Sequence, residues 1–192
     1  MTTSPQTPET HALALAPGQC LPEAARKALS PEAEAEIQAL AGRYPDRLAA
    51  TLPALYAAQR DFGFVSLAAM REVARVLQVP EGHVFGVATF YTMFQKRPVG
   101  RYHVQVCTNL SCALNGATEL LERLCARTGA TPEGGPTPDG LFSVETVECL
   151  GSCGSGPCLQ VNEGRYDECV DDAALDRILE ACRSGARAPW GA

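Results

Sequence analysis

Four cysteines offer this sequence its clearest chemistry. Cys107 and Cys112 stand in RYHVQVCTNLSC, and Cys149 and Cys153 in VETVECLGSC, as C-x4-C and C-x3-C pairs far apart along the chain. Each pair begins where a run of β-type residues gives out into a turn, so the backbone presents thiols without giving up sheet hydrogen bonds. Four thiolates are the full ligand set of a structural zinc or of an iron–sulfur cluster. If the two strands are neighbours, both pairs project from one end of the sheet and close around one centre. Gly151, Gly154 and Gly156 flank the second pair and let bare amides approach the sulfurs, which a negatively charged cluster needs. A helix starting after Cys112 would aim its N-terminus at the first pair. Cys158 is the rival ligand, although Pro157 precedes it and the residues after it read as a strand turning inward.

On spacing alone three readings stay open: an iron–sulfur cluster, a zinc site, or no metal. Zinc knuckles favour C-x2-C and often histidine, and neither appears here. The missing C-x2-C also argues against a thioredoxin-type dithiol enzyme. Of the nine cysteines, Cys125 and Cys182 fall on helical apolar stripes and read as small core hydrophobes. Cys20 is an isolated thiol. There is no G-x-S-x-G, no P-loop and no G-x-G-x-x-G entering a helix, so the chain shows no nucleotide or flavin site of its own.

The elements that must position these thiols fall into two groups. Residues 1–29 are rich in Ala, Pro and Thr without a sustained period, and read as a mobile tail. Residues 30–96 read as a small helical bundle. Ser30 caps a first helix, Pro45 restarts a second along Leu48, Leu52, Leu55, Gln59 and Phe62 up to Gly63, and Ser66 caps a third. A fourth, from Pro80 to Phe94, carries Phe85, Phe90, Tyr91 and Phe94, which suits a core or a docking face. Pro98 and Gly100 then mark a boundary.

Residues 100–185 change period. Tyr102, Val104 and Val106 alternate with His103 and Gln105, which predicts a half-buried strand with His103 on the surface side. A helix over Ala117 to Thr128, strands over Leu141 to Glu148 and Cys158 to Asn162, a hairpin return through Tyr166 and a final helix capped by Asp171 or Asp172 follow. The order predicts an α+β chain: a helical bundle followed by a thioredoxin-like domain.

With 22 acidic against 16 basic residues, the net charge of −6 argues against nucleic acid as a partner. No apolar run approaches the roughly 20 residues of a membrane span, and the N-terminus has neither a secretory nor a mitochondrial pattern, so direct membrane insertion is not expected and a bacterial cytoplasmic protein is.

The segments LPAL at Leu52, GVATFYTMF at Gly86, VCTNLSCALNG at Val106 and VECLGSC at Val147 resemble the family of 24 kDa-type subunits of NADH:quinone oxidoreductase, respiratory complex I. That family includes the small diaphorase subunits of NAD-linked hydrogenases and formate dehydrogenases. The resemblance implies a thioredoxin-like ferredoxin domain with one [2Fe-2S] cluster on Cys107, Cys112, Cys149 and Cys153. It also implies a flavin subunit as partner, carrying FMN and binding NADH, with further iron–sulfur subunits in a complex on the cytoplasmic side of the inner membrane. One departure is Gly156-Pro157, where the family usually has Ala-Pro.

Overall fold

The structure is a computed structural model that describes residues 28–132 and 135–190. Residues 1–27, which hold most of the expected tail and Cys20, lie outside the described residues. The chain divides into two compact units at Lys96 and Arg97.

The first unit is helical. α1 spans Pro31–Ala41, with the Ser30 hydroxyl accepting from the Ala33 amide and Pro31 at the first helical position. α2 spans Thr51–Phe62 and ends on Gly63, whose φ of 82° closes the helix in a left-handed cap. α3 spans Leu67–Leu77 behind a Ser66 cap, and α4 spans Glu81–Phe90. The start expected at Pro45 is displaced: Asp46 caps a single 3-10 turn over Arg47–Ala50, and α2 follows it. Leu48 therefore lies outside α2 and is exposed. Leu55, Met70, Val73, Leu77 and Val84 form the core between these helices. Gln59 is also buried there, and its amide is tied at both ends. Its Nε2 donates to the Met93 carbonyl and its Oε1 accepts from the Gln95 amide, linking α2 to the chain beyond α4. Within the aromatic segment Phe94 is buried against the Tyr56 ring, as a core residue, while Phe85 and Phe90 are exposed.

The second unit is a four-stranded sheet with helices. β1 is Tyr102–Cys107, β2 Phe142–Val147, β3 Leu159–Val161 and β4 Tyr166–Asp167, in the order β2-β1-β3-β4. β2 lies parallel to β1, and β3 antiparallel to it. Between β1 and β2 run α5, Leu110–Leu114, and α6, Ala117–Thr128; α7, Asp172–Arg183, closes the unit with Asp171 as its cap. Leu120 and Leu124 of α6 and Leu175 and Leu179 of α7 bury their side chains with Tyr102, Val104, Phe142 and Val144 of the sheet. The result is mixed α+β, the thioredoxin-like arrangement read from the sequence.

One strand expectation is overturned. His103 is buried, not on the surface. β1 is a central strand, and its second face is covered by the chain at Arg187 to Trp190: the Trp190 amide donates to the Arg101 carbonyl, and its ring meets the His103 ring edge to face at 5.7 Å. Burying an imidazole requires partners. His103 Nδ1 lies 2.8 Å from Ser143 Oγ, and Nε2 lies 3.0 Å from Glu145 Oε2.

Candidate iron–sulfur site

The pairing of β1 with β2 decides where the thiols go. Cys107 at the end of β1 is in register with Val147 at the end of β2, and the strands run parallel. Both cysteine loops therefore leave the sheet at the same end, as the sequence required if the two strands were neighbours.

The first loop is built tightly. Asn109 accepts from the Leu110 amide and turns the chain out of β1, and the five-residue α5 carries Cys112 back into a buried position. Gly116, at φ 87°, then breaks the chain before α6 begins. The helix expected over Ala117 to Thr128 is α6, and Cys112 sits inside an additional short helix, α5, that precedes it. A left-handed glycine permits that break at little cost.

The second loop is open. Cys149 follows β2 and is exposed, with the Gly151 amide 3.4 Å from its Sγ. Cys153 opens a 3-10 turn over Cys153–Ser155 and is also exposed. That turn is tied to the segment before α7. Ser155 Oγ donates to Glu168 Oε1 at 2.8 Å, Ser152 Oγ donates to the same oxygen, and the Cys169 amide donates to the Ser155 carbonyl. Neither Glu168 nor Cys169 stands out in the sequence. Both sit between β4 and α7 in a stretch without periodicity, so nothing in the pattern marks them.

The loop then returns against the first. A Cβ at Gly156 would lie 3.3 Å from Cys112 Sγ, so the backbone there backs directly onto that thiol. Cys158 follows, fully buried, with its carbonyl accepting from the Cys107 amide. Its Sγ is 3.8 Å from that of Cys112. The sulfurs of Cys107, Cys112 and Cys158 all lie within 4.8 Å of one another, in a nest lined by Ala117, Val147 and Leu150. Of the four cysteines singled out in the sequence, the structure groups Cys107 and Cys112 in this nest and leaves Cys149 and Cys153 outside it.

Electrostatics differ sharply among the clustered thiols. Burial pushes the Cys107 thiol up, yet hydrogen bonds from the Leu150 and Asn109 backbones and from the neighbouring thiols outweigh it and hold Cys107 below the ordinary range. Burial raises Cys112, and its neighbour Cys107 raises it further. Cys158 is pushed up to about 12, first by burial and then by Cys112 and Cys107. With no metal bound, Cys107 is the thiol of the three that ionises first, and Cys158 stays protonated.

Soft thiolate donors, amides aimed at sulfur and an apolar wall fit an iron–sulfur cluster. Two loops, each with a cysteine pair, leave one end of a sheet.

Residues 37–183 match the family described as thioredoxin-like [2Fe-2S] ferredoxin. The chain is 45% identical over 152 residues to an NADH-quinone oxidoreductase subunit of Rhizobium meliloti, covering 79% of this chain and 89% of that protein. It is 46% identical over 147 residues to an NADH-quinone oxidoreductase subunit of Thermus thermophilus, covering 76% and 81%. Among solved structures, an NAD+-reducing [NiFe]-hydrogenase in the H2-reduced state superposes with a TM-score of 0.60 at 26% identity over 70% of this chain. This chain spans 22% of that hydrogenase chain.

Proposed function

This chain belongs to the thioredoxin-like [2Fe-2S] ferredoxin family, and on that premise we propose that it is the electron-transfer subunit of an NADH dehydrogenase module, exchanging single electrons with the FMN of a partner subunit. The observation that carries this reading is the parallel register of β1 and β2, which brings both cysteine loops to one end of the sheet. The bound [2Fe-2S] cluster supplies one-electron storage. Cys107, Cys112, Cys149 and Cys153 would hold it. The Gly151 amide beside Cys149 and the Leu150 and Asn109 amides at Cys107 would neutralise part of the thiolate charge. Residues 100–185 form the cluster-bearing domain and residues 30–96 a helical domain.

The proposed partners are the flavin subunit and further iron–sulfur subunits of a complex on the cytoplasmic side of the membrane. No helix among the described residues is long and apolar enough to cross a membrane. A second reading has the same module serve an NAD-linked hydrogenase or formate dehydrogenase, and the likeness to the hydrogenase supports the first of these. Purification through this chain, followed by identification of the accompanying subunits, separates the readings: a quinone-reductase subunit set supports the first and a hydrogenase or formate dehydrogenase large subunit the second. Recovery of the chain with neither flavin nor iron–sulfur partners contradicts both.

A further inference from the structure

We propose that Cys107, Cys112 and Cys158 form a three-thiolate site for a single thiophilic cation of the zinc, cadmium or copper(I) class, exclusive with the cluster because the two share Cys107 and Cys112. It rests on the cluster reading only for that exclusivity. The geometry is already assembled. A thiolate lies about 2.3 Å from zinc, so two sulfurs on one ion stand roughly 3.8 to 4.0 Å apart in tetrahedral or trigonal coordination. Cys112 and Cys158 are 3.8 Å apart, and Cys107 is within 4.8 Å of both. Closing on an ion therefore requires the Cys107 sulfur to move by no more than about 1 Å.

All three thiols are buried, and Ala117, Val147 and Leu150 exclude water around them. Soft sulfur ligands in a dry nest select soft cations over magnesium or calcium. Each thiol gives up its proton to solvent as its sulfur binds the ion, and no electron moves. Cys149 and Cys153 are exposed and outside this group, so they are not needed. A two-iron cluster asks for thiolates on both irons, whereas three convergent thiols suit one ion. Capture of such an ion would occupy Cys107 and Cys112 and block cluster loading.

The test is a cadmium(II) titration of the full-length, cluster-free chain without oxygen, read by the thiolate-to-cadmium charge-transfer absorption. About one cadmium per chain is expected, with affinity unchanged in a C149S/C153S double variant and reduced at least about tenfold in C158S. Wild-type affinity in C158S, or a tenfold loss in the double variant, overturns the proposal. Alkylation of the unmutated chain, mapped by mass spectrometry, does not depend on any variant folding. Cadmium should slow labelling of Cys107, Cys112 and Cys158 and leave Cys149 and Cys153 as they were; protection of Cys149 and Cys153 contradicts the assignment. Iron and sulfide reconstitution of C153S, which reports on the cluster reading alone, keeps failure of one proposal distinct from failure of the other.

Discussion

The two cysteine loops leave the same end of the same sheet, yet they are held in opposite ways. Cys107 and Cys112 are buried, fixed by the last residue of a central strand and by a short helix folded back under it. Cys149 and Cys153 are exposed, positioned by backbone amides and by a hydroxyl–carboxylate tie to Glu168. One half of the site is thus placed by core packing and the other by loop hydrogen bonds. Each half should then fail in its own way.

The largest effect is expected in the exposed loop. If Cys153 is a ligand, Cys153→Ser abolishes the normal cluster absorption and takes iron from about two per chain to near zero after reconstitution, while Cys158→Ser leaves both nearly unchanged. The reverse pattern would transfer the ligand role from the exposed Cys153 to the buried Cys158.

Next comes the core beneath the first loop. Leu124→Ala opens a cavity under β1 and should cost about 2 to 5 kcal/mol in denaturant unfolding of the full chain. Glu168→Ala, which removes only the exposed tie on the second loop, should leave the unfolding midpoint nearly unchanged. Equal costs would mean that the two halves are supported alike.

A smaller effect separates core thiols from site thiols. Cys182 is buried in α7 away from both loops, and burial pushes its thiol up to about 11. An unfolded cysteine ionises near pH ~8.5, so above that pH the unfolded chain loses a proton that the folded chain keeps. Stability should be insensitive to this thiol below about pH 8 and fall as pH rises toward 11, and Cys182→Ala should flatten that fall. An unchanged slope in the variant would show that Cys182 is not the group responsible.

Much of this architecture was legible because it is encoded locally. Ser30, Ser66 and Asp171 each cap the helix they precede, and Gly63 and Gly129 each end one in the left-handed region. The alternation in Tyr102 to Val106 located β1, and the change of period located the second unit. What escaped depends on contacts far along the chain. His103 looked like a surface residue because strand alternation cannot reveal that Arg187 to Trp190 covers the other face. The sequence offers Cys158 as a rival ligand ahead of an inward-turning strand, but its complete burial follows from the antiparallel pairing of β1 with β3, which brings its carbonyl to the Cys107 amide. α5 was hidden because five residues are too few to show a helical period, and Asn115 with the left-handed Gly116 separates it from α6.

Whether this chain carries a [2Fe-2S] cluster for one-electron transfer is decided by metal and sulfide analysis of the anaerobically purified full-length protein, together with electron paramagnetic resonance after reduction. Red-brown protein with about two irons and two sulfides per chain, and the signal of one reduced [2Fe-2S] centre, is the expected result. A colourless protein holding a single zinc and no sulfide would contradict it.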